Sequence, residues 1–163
     1  MQGKFTQKAK EVIEAAKDIS VDFGHGYVGT EHMLMALFVI KESMASKVLE
    51  EQGITEEDIE EKIEDYVGTS DIADAIPQDF TPRTKRMLEQ SKQEAMALGT
   101  DYIGTEHLLI ALLRDKDSLA VKVLTALKVN QQRIYDEIMA LLGKPTNEQF
   151  KSGGGFGGAG GGG

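Results

Sequence analysis

The chain contains no cysteine, which removes disulfide frameworks, thiolate metal sites and cysteine nucleophiles at once. Long apolar runs are missing too: stretches such as Met33 to Ile40 fall far short of the ~20 residues that a membrane span requires. The opening MQGKFTQKAK has no apolar signal core, so a cytoplasmic protein without a membrane partner is expected. Positive charge is in deficit, with 18 Lys and Arg against 27 Asp and Glu and a net charge of -9. That balance opposes the phosphate backbone of nucleic acid and argues against such a partner. No stretch shows the β-branched alternation of strands. Catalytic patterns are equally scarce: there is no Walker GxxxxGK[ST], no HExxH and no serine with a His and Asp set. No catalytic residue, metal or cofactor is expected.

What the chain does have is a repetition. GYVGTEHMLMAL at residues 26–37 returns as DYIGTEHLLIAL at 101–112, an offset of 75. The same ungapped offset pairs Phe5-Thr6 with Phe80-Thr81, Lys47-Val48-Leu49 with Lys122-Val123-Leu124, Ile63 with Ile138 and Gly68 with Gly143. Roughly a third of the aligned positions are identical, the mark of a tandem duplication.

Each copy punctuates itself into four helices. The first opens at Thr6, or at Thr81 followed by Pro82, and ends near Gly24 or Gly99. The second starts at Thr30 or Thr105 and runs through MLMALFVI or LLIALL, apolar enough to be buried on most sides. A third helix follows around 43–52 or 118–127, and a fourth opens at Thr55 or Asn130 and closes at Gly68 or Gly143. The expected fold is all-α: two tandem four-helix repeats, about 5–68 and 80–143, packed as one pseudo-twofold eight-helix domain over residues 1–145. A unit of about 65 residues is marginal alone, so the copies gain by sharing a core. Residues 69–79 then form a connector. From 146 to 163 the chain turns polar and then almost purely glycine, which reads as a flexible linker.

Gly-Thr-Glu-His at the mouth of the second helix carries the only chemistry. Thr30 and Thr105 are expected to be N-caps, with the preceding glycine allowing an unusual backbone angle. Glu31 and Glu106 complement the positive end of the helix dipole. The amides there suit phosphate while the carboxylate repels it. A ligand with an anionic and a cationic end would satisfy both, its guanidinium pairing with the carboxylate. His32 and His107 lack metal-ligand spacing, and His25 has Thr100 as its counterpart, so structural roles are expected. Phe5 and Phe80 read as hydrophobic staples or exposed anchors.

The twin GTEH segments, the FT and FTPR helix openings and the 75-residue repeat resemble the N-terminal Clp repeat domain of the Clp AAA+ unfoldases, closest to the ClpC type. The resemblance implies a non-enzymatic docking module for protein substrates and adaptor proteins. It also implies flexible tethering to ATPase rings that serve a partner Clp peptidase. It further implies recognition of phosphoarginine, with Glu31 and Glu106 on the guanidinium and Thr30, Thr105 and first-turn amides around the phosphate. Phe80, Arg83 and Lys85 match the segment such domains use for adaptors and peptides. The isolated domain is expected to be a monomer. A free-standing Clp-repeat accessory protein, without an ATPase of its own, is the alternative.

Overall fold

The computed structural model describes residues 4–68 and 79–145. Residues 1–3 of the expected domain, the expected connector except Asp79, and the expected linker at 146–163 lie outside them. The first repeat contains β1 (Lys4–Phe5), α1 (Gln7–Asp22), β2 (Tyr27–Val28), α2 (Thr30–Val39), α3 (Met44–Glu50) and α4 (Glu56–Val67). The second contains β3 (Asp79–Phe80), α5 (Pro82–Ala97), β4 (Tyr102–Ile103), α6 (Thr105–Arg114), α7 (Leu119–Ala126) and α8 (Gln131–Leu141).

The helices begin where side chains can satisfy open amides. Thr6 accepts from the Ala9 amide, Thr81 from Thr84, Ser43 from Ser46 and Ser118 from Val121, at 3.1–3.2 Å. Thr55 and Asp58 cap each other reciprocally, Thr55 Oγ1 accepting at 3.1 Å and Asp58 Oδ2 at 2.9 Å. Helices α1 and α5 stop at Gly24 and Gly99, whose φ of 77° and 79° favours glycine.

In α2 every residue from Thr30 to Phe38 is buried, and in α6 every residue from Thr105 to Leu113. The apolar run read from the sequence therefore marks the two central helices. Each buried Leu or Met there contributes about 1.5–3 kcal/mol. One apolar cluster extends from Ala9 in α1 to Ile138 in α8, so the repeats share a single core. Across the pseudo-twofold, α2 packs on α6 and α7, α3 on α6 and α8, and α4 on α7.

The strands were not expected from the sequence. Each is only two residues long, and each pairs in parallel with the opposite repeat: Lys4 with Tyr102 and Phe5 with Ile103, then Tyr27 with Asp79 and Val28 with Phe80. The exchange is reciprocal. It is continued by the Thr6 amide donating to the Ile103 carbonyl at 3.0 Å and the Thr81 amide donating to the Val28 carbonyl at 3.1 Å. Phe5 and Phe80 are half-buried against the shared core, staples in effect, although they pin one repeat to the other rather than their own helices.

Candidate functional site: the entrances of α2 and α6

The strand exchange places the start of α5 beside the start of α2. Between them lies a cleft of about 390 Å³, lined by Glu31 and Tyr27 on one side and by Pro82, Arg83 and Arg86 on the other. Leu119, at the first position of α7, also lines it.

Gly29 and Gly104, not the threonines, occupy the N-cap positions. Their φ values of -98° and -100° are ordinary extended geometry, so the sequence-based expectation of an unusual angle does not hold. Close approach is the reason for glycine here. A Cβ at Gly29 would collide with Glu31 Oε1 and lie 2.9 Å from its Cδ, and Glu106 crowds Gly104 in the same way. The carboxylates thus curl back over the N-cap backbone. Glu31 and Glu106 are only 3 % and 6 % exposed.

The cap is instead supplied by the histidine. The Gly29 amide donates to His32 Nδ1 at 2.9 Å, and Gly104 does the same to His107. Thr30 and Thr105 are buried first-turn residues that reach across the pseudo-twofold. Thr30 Oγ1 accepts from the Ala120 amide in α7, and Thr105 Oγ1 from the Ala45 amide in α3, both at 3.2 Å. The threonines do cap helices, but the other repeat's. Each hydroxyl keeps its proton to donate.

At the α2 entrance the remaining hydrogen bonds form a chain. Because His32 Nδ1 accepts, its proton sits on Nε2 and points to His25 Nδ1 at 2.8 Å, and His25 Nε2 donates to the Gly68 carbonyl at 2.8 Å. Burial, reinforced by the neighbouring His25, pushes the His32 pKa down to about 3, keeping the ring neutral. Burial also pushes the Glu31 carboxyl upward, against its own backbone amide, the Tyr27 hydroxyl and His25, which favour the charged form. Tyr27 donates to Glu31, and burial together with that charge pushes its pKa up to about 12. His25, Glu31 and His32 offer ligand atoms within 4.8 Å of one another, close enough for a metal. The two facing nitrogens are nevertheless joined by a proton that an ion would have to displace, which accords with the structural role expected of these histidines.

At the α6 entrance the chain is cut short. Thr100 stands in place of His25 and turns its hydroxyl to the Tyr102 carbonyl at 2.8 Å. His107 Nε2 is buried without a hydrogen-bond partner among the described residues, 4.0 Å from Glu106 Oε2. Burial lowers the His107 pKa, opposed by Glu106 and Glu94.

Of the three residues expected on an adaptor surface, the structure brings only Arg83 to this cleft. Its Nη1 donates to both Asp115 oxygens at 2.7 and 2.6 Å, leaving the other edge of the guanidinium for a ligand. Phe80 is half-buried with Lys17 Nζ 5.7 Å from its ring centre, and Lys85 is exposed. Two cleft residues went unread in the sequence. Arg86 was signalled by its i+3 spacing from Arg83, which puts both on one helix face; Tyr27 was signalled only by its place in the duplicated segment.

A duplicated body with eight helices among the described residues, closed by exchanged strands around paired helix entrances, defines a tandem-repeat helical domain. The chain belongs to the Clp repeat (R) N-terminal domain family, which it matches over residues 4–127 and 79–155. Chaperone protein ClpC2, chloroplastic, from Oryza sativa subsp. japonica is 38% identical over 143 residues, covering 88% of this chain and 16% of that protein. The N-terminal domain of the chaperone ClpD from Arabidopsis thaliana superposes with a TM-score of 0.73 at 22% identity, covering 85% of this chain and 97% of that one. A ClpV N-domain in complex with a VipB peptide gives 0.66 at 20% identity, covering 86% and 88%. The chain spans about one-sixth of the length of such a full-length relative. None of the described helices is long and apolar enough to cross a membrane.

Proposed function

We propose that this chain is the docking domain of a Clp-type ATPase, capturing protein substrates and adaptors for unfolding and delivery to a partner peptidase. Its finer specificity is for phosphorylated arginine at the entrances of α2 and α6. The observation that carries this reading is the cleft that faces a buried carboxylate, Glu31, with two arginines, Arg83 and Arg86. A guanidinium needs a carboxylate and a phosphate needs cationic donors, and one side chain bearing both groups uses both walls.

Entry has a definite cost in contacts. Glu31 must exchange the Tyr27 hydroxyl for the ligand guanidinium, and Thr30 adds its remaining proton. Glu106 and Thr105 play these parts in the second repeat. Each entrance is weak alone, and multiple tags on one substrate raise the effective affinity by avidity. Phe80, half-buried, and Lys85, exposed, are not among the residues lining the cleft and serve adaptor contact, with Arg83 shared between the two surfaces. The ClpV domain binds its VipB peptide on the same fold, which supports a docking role for this body.

Calorimetry with phosphoarginine tests the reading. Wild type is expected to bind, and the Glu31→Ala, Glu106→Ala double variant to lose binding. No heat with wild type, or unchanged affinity in the double variant, overturns the phosphoarginine assignment.

A further inference from the structure

Resting on that reading, we infer that the two entrances are unequal: the Glu31 cleft takes the phosphorylated guanidinium more tightly than the Glu106 entrance does, because Glu11 occupies the position of Arg86 in the first repeat. The offset of 75 turns Arg83 into Lys8, Arg86 into Glu11 and Leu119 into Met44. In the first cleft the α5 wall therefore presents two guanidinium groups one turn apart. Arg83 is held in place by Asp115. Arg86 is exposed and pairs with no carboxylate among the described residues.

The α1 wall beside Glu106 has the opposite character. Lys8 Nζ is drawn to the Lys41 carbonyl at 3.1 Å and lies 3.7 Å from Glu11 Oε1, so its charge is already partly answered. By the repeat correspondence, Glu11 takes on α1, which packs on α6, the place that Arg86 has on α5, so an approaching phosphate meets a negative charge there instead of a positive one.

Backbone donors do not repair the difference. At both entrances the amides of the third and fourth residues turn back to the N-cap carbonyl: His32 and Met33 to Gly29, His107 and Leu108 to Gly104. The N-cap amide goes to histidine in both. The anion must be held chiefly by the wall, and only one wall is cationic. Exchanging an attracting for a repelling charge at a solvent-facing contact corresponds to about tenfold in affinity.

An amide chemical-shift titration of the 163-residue chain decides this, using phosphoarginine, arginine and inorganic phosphate as separate probes. Phosphoarginine should move Gly29 to His32 at about tenfold lower concentration than Gly104 to His107, while arginine shows no such preference. Arg86→Glu should close the gap from one side and Glu11→Arg from the other, both at solvent-facing positions that leave the core intact. Equal midpoints at the two entrances, or a gap that neither substitution alters, overturns the inference. Should phosphoarginine move neither entrance, the preceding assignment falls. Inorganic phosphate then decides the inequality by itself: a preference for the α2 entrance that Arg86→Glu removes upholds it, and its absence overturns it.

Discussion

The two repeats solve the same packing problem with different chemistry. Where the second repeat places Glu94 and Arg114, the first has Ile19 and Val39, the residues 75 positions earlier. Arg114 donates to Glu94 through Nε at 2.7 Å and Nη2 at 3.0 Å, with the Glu94 side chain only 7 % exposed. Ile19 and Val39 are half-buried against the apolar core. The pair joining the first helix of a repeat to the end of its second is thus ionic in one copy and aliphatic in the other. The two positions differ together between the repeats, and half of the ionic solution would bury an unpaired charge. The histidines teach a similar lesson: the second repeat lacks the His25 equivalent, and His107 Nε2 is left without the partner that His32 has.

Breaking the ionic pair should give the largest effect. Arg114→Ala is expected to cost about 3 kcal/mol in urea unfolding, because Glu94 stays buried and keeps the Gln90 amide at 2.7 Å in place of a full charge. The double change Glu94→Ile, Arg114→Val copies the first repeat and should lie within ~1 kcal/mol of wild type. A double variant as unstable as the single one would show that the two solutions are not interchangeable.

Acid comes next. The folded pKa of His32 is about 3, below the value of about 6.5 expected in the unfolded chain. The unfolded state therefore binds the proton first. Stability is complete above about pH 6.5 and falls as the pH drops below it, by up to ~1.4 kcal/mol per pH unit. His107 is shifted in the same direction and adds to the loss. Glu31, shifted upward, takes up its proton more readily when folded and returns some stability nearer the carboxylate range. Urea midpoints at pH 7.5 and 5.5 measure the slope. His32→Asn retains an acceptor for the Gly29 amide and should flatten it, and a variant with the full wild-type slope would remove His32 as the source.

His25→Thr makes the first repeat resemble the second and strands the His32 Nε2 proton, for an expected loss of about 1–2 kcal/mol by urea unfolding. Smallest is the removal of one crossing cap: Thr30→Val or Thr105→Val should cost about 1 kcal/mol each. Hydrogen exchange should report the loss at the start of the opposite repeat's helix, at Ala120 or Ala45. Loss confined to the mutated repeat would contradict the crossing geometry.

Helix starts and stops were legible in the sequence because their causes are local. A Thr6, Ser43 or Ser118 hydroxyl reaches an amide three residues on, and a glycine ends a helix by its own backbone freedom. The candidate site was half legible. The duplicated motif pointed to Thr30, Glu31, Thr105 and Glu106, and Arg83, expected on an adaptor surface, lies in the cleft beside Glu31. Their orientations were not readable: the threonine hydroxyls cross between repeats, the carboxylates fold back over glycine, and Arg86 joins the cleft only because α5 packs beside α2.

By itself the sequence determined the duplication, the number and periods of the helices, and the two apolar segments that became α2 and α6. Those follow from side-chain spacing and from the free energy of removing apolar surface from water, which any compact form of the chain must satisfy. Only the tertiary structure decided the strand exchange and the reach of Thr30 to the amide of Ala120, 90 residues away. It also decided that α5 brings Arg83 and Arg86 to the entrance of α2. A hydrogen bond or a cleft between distant residues leaves no periodic trace in the chain. It exists only after the shared core has fixed how one repeat lies against the other.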